Sequence, residues 1–386
     1  MKSILFIGLV LLLQLNYEIE SPQTIKLETV NQIRIIQEFS GEPTSLKEMP
    51  VAFSADSRIL GFVDGRTPWG GGQIYFFDVA TFEPLQLIVD EPVSGTTLHF
   101  TNSSILVGTL NGLVERYSLE SGKLVETVVV SPASSDINDP IYTLGGDVEV
   151  ITSSSDEQYF AVAATSELWG ENVFYLSAFD EEPILKISAG QPPYRALGRG
   201  YDVVFHPNDE FVVLAARVDD GTGNWTNTVQ IRDVQTGNLL ASCDLFNHTI
   251  AFTHNLVVSP DGTQIIYKAE DGIRIWDTRN CADHNDAWTL LLPAIEGEWV
   301  TTMEVHPTEP ILVVALGMSD HGRGVLQFWN IQTQQLVHEI TDYGSGIYNE
   351  ITNLAFSPDG TMLATGAGGA GSEDATVRLW GIPADD

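Results

Sequence analysis

Val258-Ser259-Pro260-Asp261-Gly262 and Phe356-Ser357-Pro358-Asp359-Gly360 are the two stretches on which the reading of this chain turns. Each follows a short apolar run and supplies what a tight turn needs. Pro presets φ, Asp accepts hydrogen bonds from its own backbone, and Gly takes a positive φ without a steric penalty. Apolar runs follow at 264–268 and 362–367, so each stretch reads as strand, turn, strand. Looser copies stand at Phe53-Ser54-Ala55-Asp56, Phe205-His206-Pro207-Asn208 and Val305-His306-Pro307-Thr308, followed by apolar runs at 59–63, 211–216 and 311–316. Spacings of roughly 40 to 50 residues belong to solenoids, arrays and propellers. His206 and His306 stand where Ser259 and Ser357 stand, which makes them turn residues of the repeat.

A third strand closes each repeat in an aromatic-polar signature: Tyr75-Phe76-Phe77-Asp78, Ile231-Arg232-Asp233, Ile275-Trp276-Asp277, Phe328-Trp329-Asn330 and Leu379-Trp380-Gly381. Trp276, Trp329 and Trp380 recur at one strand position and read as core packing. A turn such as Gln235-Thr236-Gly237-Asn238 leads into a fourth strand at 239–242. Two degenerate repeats fill the gaps: 98–130, with Tyr117 and a Ser121-Gly122 turn, and 148–187, with Phe179-Asp180. That makes seven. The last repeat stops after its third strand, and residues 31–39 (Asn31 to Phe39) resemble the fourth strands elsewhere, such as 334–340. A strand lent from the N-terminal side would close the ring and remove its open edge. The expected fold is all-β: a seven-bladed β-propeller whose N-terminal strand closes the last blade.

On these residues the chain resembles the WD-repeat family over 31–382. Ser-Pro-Asp-Gly follows the first strand, and Ile-Trp-Asp or Leu-Trp-Gly ends the third. The family's Gly-His pair before the first strand is absent from every blade, and with it the basis of the usual His-centred hydrogen-bond network. Exported microbial propellers with surface-type repeats share the same Ser-Pro-Asp-Gly turn. The resemblance implies that loops joining second to third strands, and links joining one blade to the next, lie on one face.

Composition narrows the function. Of 386 residues, 43% are hydrophobic and 18% charged, ample for a packed core. Against 52 Asp and Glu stand only 18 Lys and Arg, a net charge of −34. Such a field repels phosphate backbones, so nucleic acid is excluded as a partner, and the acidity reads first as a solvated surface. Met1, Lys2 and Ser3 precede an apolar run at 4–13 broken by Gln14, the layout of an export signal. Residues 1–21 are therefore expected to be a signal peptide or a retained N-terminal anchor, and 22–386 a single propeller. The run is shorter than the roughly 20 apolar residues of a membrane-spanning helix.

Catalytic signatures are sparse. The sequence holds no Gly-x-Ser-x-Gly, no His-Glu-x-x-His and no phosphate loop. Residues 366–371 match Gly-x-Gly-x-x-Gly, but between two strands, whereas a dinucleotide fingerprint opens a helix. Cys243, His248, His254, Cys281 and His284 are the residue types zinc prefers, at irregular spacing. Cys243 and Cys281 leave one disulfide open in an exported chain, although they fall near the outer strands of consecutive blades. Asp219, Asp220, Gly221, Thr222, Gly223 and Asn224 form an oxygen-rich loop, either an acidic turn or a calcium site without the usual alternate spacing. Asn102-Ser103-Ser104, Asn224-Trp225-Thr226 and Asn247-His248-Thr249 are glycosylation acceptor triplets.

The loops at 64–72, 166–172, 218–228 and 317–324 are longer than hairpins need, and long loops on rigid strands carry binding. They bear Trp69, Trp169, Trp225, Arg66, His321 and Arg323. The inter-blade links add Arg195, Arg199, Tyr142, Tyr194, Tyr343 and Tyr348. Aromatics and Arg are enriched at binding hot spots, though the same side chains could pack loops against one another. The expected function is an exported, non-catalytic scaffold binding a protein, peptide or glycan, with no cofactor beyond the open question of calcium. The alternative is a metal-assisted hydrolase or lyase at the axial channel, marked by inward carboxylates and His321.

Overall fold

The computed structural model describes residues 23–40, 49–64, 72–88, 94–130, 147–165, 172–179, 181–188, 202–219, 225–244, 256–269, 272–278, 288–293, 298–318, 324–341, 350–368 and 376–383. Each repeat becomes an antiparallel sheet with its strands in chain order, and there are seven sheets. The first strands, in blade order, are Val51–Phe53, Thr97–Phe100, Asp147–Ser153, Val203–Phe205, Leu256–Val258, Glu298–Val305 and Ile351–Phe356. Each touches the next, and the seventh touches the first, so the ring is closed.

Seven hydrophobic clusters hold the blades together, one in each seam. The period of two explains this: alternate residues of a strand face opposite seams, so a blade buried on both faces must be apolar at almost every inner position. The second strand of blade 6, Ile311–Met318, shows it, with Val313 and Ala315 in one seam and Leu312 and Val314 in the other. Trp276 and Trp380 are core residues, as expected, while Trp329 is only partly buried.

Fourth strands form the outer rim. Among the described residues, every exposed large hydrophobic except Trp299 lies there, including Leu124, Val125, Leu239, Leu240, Leu336 and Val337. In five blades one residue of this strand is skipped by the ladder: Ile36, Val125, Leu240, Leu291 and Val337. In blade 1 the rim is two fragments, Pro84–Leu85 and Ser94–Gly95. Bulges and short edges prevent one propeller from pairing with another.

The expected closing strand is present as Arg34–Ser40, antiparallel to Thr376–Gly381, with Glu38 and Arg378 joined at 2.6 Å. It starts later than expected. Residues Val30–Gln32 form a 3-10 turn instead, because Ile25, Val30 and Ile33 are drawn into the seam between blades 6 and 7.

The turns joining first to second strands explain the Ser-Pro-Asp-Gly signature. The hydroxyls of Ser54, Ser154, Ser259 and Ser357 donate to the Asp two residues on at 2.6–2.7 Å. Each also accepts the amide five residues on at 2.9–3.0 Å. The fourth turn residue has positive φ, at Ser57, Glu157, Asp209, Gly262 and Gly360, and there the turns reach across seams in two ways. Where that residue has a side chain, the side chain accepts from the preceding blade. Ser57 Oγ takes the Asp359 amide at 3.1 Å, Glu157 takes Asn102 and Ser103, and Asp209 takes Ser155. Where it is glycine, its carbonyl accepts a histidine Nε2–H from the preceding blade: His206 to Gly262 at 2.9 Å and His306 to Gly360 at 3.0 Å. Five of the seven seams are tied by this belt.

Candidate functional site

The register fixes which loops share a face. First strands begin opposite the ends of second strands, as Asp147 faces Thr165 and Glu298 faces Met318. Third strands begin opposite the ends of fourth strands, as Leu113 faces Val129. Second-to-third loops and inter-blade links therefore emerge together on one face, and the Ser-Pro-Asp-Gly turns lie on the other.

Of the residues expected on the long-loop face, Arg66, Trp69, Trp169, Arg195, Arg199, His321 and Arg323 lie outside the described residues, as do the four Tyr. Trp225 begins the third strand of blade 4, paired with Asp219. That strand and its partner, Phe211–Asp219, run to nine residues each and carry the ladder up to the loop on this face. Asp219 is the only described member of the oxygen-rich loop. Cys243 pairs with Val229 on the rim of blade 4, while Cys281, His248, His254 and His284 lie outside the described residues. Among the described residues, no group of three or more His, Cys, Asp or Glu is placed to hold a metal.

Trp299, not singled out in the sequence, is the exposed aromatic that the described part of this face presents. It stands at the start of the first strand of blade 6, 42% exposed, with its ring occupying the space a Cβ on Gly317 would need. Glycine in the neighbouring strand thus gives the indole a flat backbone to lie on. Around the same rim are acidic groups: Asp64, Asp147, Glu149 and Asp202 are buried, and burial pushes the Glu350 carboxyl up, with Lys268 pulling the other way. Asp202 accepts the amides of Val203 at 2.8 Å and, across the seam, Leu256 at 3.0 Å. Asn353 plays the same part for Val51 at 3.3 Å between blades 7 and 1.

Nearer the axis, the first-strand residue two positions before the turn points into the following seam in four blades. Ala52, Val204, Val257 and Ala355 join the apolar clusters there. His99 and Glu304 hold the same place in their blades. Burial lowers the His99 imidazole to about 4, and its Nε2 lies 2.9 Å from Ser153 Oγ. Burial raises the Glu304 carboxyl to about 8, with Asp202 adding to the rise, so it is a neutral acid at pH 7. Both were legible as polar exceptions at an apolar repeat position. His99 lies against Ser153 in the 2/3 seam, whereas Glu304 is near enough to Asp202 of blade 4 to feel its charge; among the described residues no group of three or more His, Cys, Asp or Glu is placed to hold a metal.

The first glycine of the Gly-x-Gly-x-x-Gly match has a packing explanation. Gly366 lies within the strand Met362–Ala367, and a Cβ there would strike the carbonyl of Met49 in blade 1. The glycine admits the neighbouring blade.

Comparisons with known proteins agree with this architecture. Residues 335–381 match the family model described as WD domain, G-beta repeat. That window runs from the fourth strand of blade 6 through three strands of blade 7. The whole chain is similar in shape to one from a structure described as "Crystal Structure of Mitotic Checkpoint Complex". The TM-score is 0.63 at 14% identity, covering 96% of this chain and 99% of that one. No curated protein matches the chain. The protein is a seven-bladed β-propeller, and residues 335–381 of it match a WD repeat.

Proposed function

We propose that the protein is a non-catalytic binding scaffold, exported by way of its N-terminal segment, which holds a protein, peptide or glycan on its long-loop face. The observation that carries this reading is Trp299. It is a large, half-exposed aromatic on a rigid inner strand, at the foot of a loop that carries His321 and Arg323. Rigid aromatics offer contact area at low entropic cost, and they dominate binding energies out of proportion to their number. A WD-type propeller provides the framework, and the similar chain found in a checkpoint complex shows that such a ring can sit within a larger assembly. Export rests on the basic start and apolar run of residues 1–14. Among the described residues no helix is long and apolar enough to cross a membrane.

The test is capture from the native extracellular fraction with wild type, Trp299→Ala, and a variant carrying Trp69→Ala, Arg199→Ala and Arg323→Ala. All three should unfold at similar denaturant concentrations. A specific partner lost in either variant supports the face; capture unchanged in both overturns it.

A further inference from the structure

The seam between blades 6 and 7 is where the ring is closed by sequence-distant segments, and one carbonyl joins three of them. The oxygen of Gly360, in the Ser-Pro-Asp-Gly turn of blade 7, accepts the Nε2–H of His306 from blade 6 at 3.0 Å. It also accepts the backbone N–H of Ile25, from the N-terminal segment, at 2.9 Å. Ile25 is fully buried, Gln23 bridges to Ile382, and Val30 and Ile33 extend the same plug into the 6/7 cluster. Residues 23–33 thus form a clasp laid over the seam, leading directly into the closing strand Arg34–Ser40. The sister joint at Gly262 holds no such segment; its second donor is the Thr278 hydroxyl of the same blade, at 3.2 Å.

His306 is fully buried, and both ring nitrogens are committed. Nε2 must carry the proton to reach Gly360. Nδ1 must be bare, because it accepts the amides of Thr308 at 3.2 Å and Glu309 at 3.0 Å. A second proton on Nδ1 would face two N–H donors, and the imidazolium would have no water. Its surroundings can be enumerated. Glu309 on its own turn and Asp359 on the blade 7 turn are the charges that act on it; the Phe356 ring meets it edge-on at 4.9 Å. Glu304, two residues earlier on the same strand, is already neutral below about 8 and changes little between pH 7.5 and 5. Lys26, on the clasp, is exposed. Burial holds the imidazole below its ordinary value, outweighing the Gly360 hydrogen bond and the two acidic groups, all of which favour the charged ring.

We propose that the Gly360 joint is an acid-sensitive latch on ring closure: neutral His306 holds the turn that receives Ile25, and protonation of His306 releases the clasp and loosens the strand Arg34–Ser40. The step is a proton taken from solvent onto Nδ1. The charged ring cannot remain where two amides face it, and it leaves the pocket. Gly360 then keeps the Ile25 amide but loses its hydrogen bond from blade 6. The release is local, because the five other blades do not depend on this carbonyl.

The experiment is amide hydrogen exchange on the full chain at pH 7.5 and 5.0, corrected for intrinsic rates, comparing wild type with His306→Gln. Glutamine keeps an N–H donor for Gly360 and removes the titration. In wild type, protection across residues 34–40 and 376–381 should fall at least tenfold at pH 5.0, while the ladders of blades 3 and 4 keep theirs. In His306→Gln the fall should vanish. The same fall in both proteins, or a uniform fall around the ring, would overturn the latch. Should the variant not fold, a wild-type NMR titration decides. The His306 ring and the Ile25 amide must shift with a common midpoint below 6.5; separate midpoints refute the coupling.

Discussion

His206 Nε2–H donates to the carbonyl of Gly262 at 2.9 Å across the seam between blades 4 and 5, and the same ring fills the space that a Cβ on Gly262 would occupy. The two residues are therefore one unit. Gly262→Ala is expected to cost roughly 3 kcal/mol: about 1 for an L residue at positive φ, and the rest for displacing the ring. In a His206→Ala background the glycine substitution should cost only about 1 kcal/mol. Urea unfolding of the four proteins measures the coupling; energies that add within about 0.5 kcal/mol would show the two positions to be independent.

Glu304 sets a stability change on the alkaline side. Its folded-state value is raised from 4.5 to about 8. Its contribution is therefore complete below pH 4.5 and is lost as pH rises towards 8. Glu304→Gln should remove that slope and, at pH 7, stabilise the protein by on the order of 3 kcal/mol. Parallel pH–stability curves for variant and wild type between pH 5 and 8 would mean the carboxyl is hydrated after all.

His99 acts in the opposite direction. Its imidazole is lowered from 6.5 to about 4, so the neutral form is the native one. The stability it confers is full above pH 6.5 and is lost as pH falls towards 4. His99→Gln should shift the acid unfolding midpoint to lower pH, while costing about 1 kcal/mol at pH 7.5 through the weakened bond to Ser153. An unmoved acid midpoint is the result that counts against this assignment.

Trp299 and Gly317 separate binding from folding. Trp299→Ala removes a half-exposed ring and should change stability by less than about 1 kcal/mol. Gly317→Ala leaves the indole in place chemically but lifts it from its backbone seat. Both should weaken partner capture, the second visibly in the Trp fluorescence as well. Full capture by Gly317→Ala would show that the ring's pose does not matter.

The fold was open to reading because a propeller repeats its statement. The turns at Ser259 and Ser357 name the first two strands, Trp276 and Trp380 name the third, and the residues near Ile35 supply the strand missing after Gly381. The start of that strand was misplaced because Val30 and Ile33 are apolar at a spacing a strand does not use; they belong to a turn that fills a seam. The belt was only half legible. His206 and His306 were identified as turn residues, but a histidine that bonds across a seam looks in sequence like one that stays within its turn. Glu304 and His99 were visible only by laying first strands side by side, where they interrupt Ala52, Val204, Val257 and Ala355. For the long-loop face the difficulty is physical. Loops owe their residues to whatever they contact, not to a repeating neighbour, so their composition can suggest stickiness and nothing about its object.

Arg34 pairs with Gly381, and Gln23 bridges to Ile382, so the described chain enters and leaves blade 7 at the same end of one two-stranded ladder. A force pulling those two segments apart would load the hydrogen bonds one at a time, beginning with the outermost, as a zipper is loaded and not as a sheared lap joint. Seven seams hold the blades against their neighbours, yet mechanically the ring's weakest direction is the line between the two segments that meet at Arg34 and Gly381. Tethered by those segments, this propeller would yield at low force and unroll from blade 7.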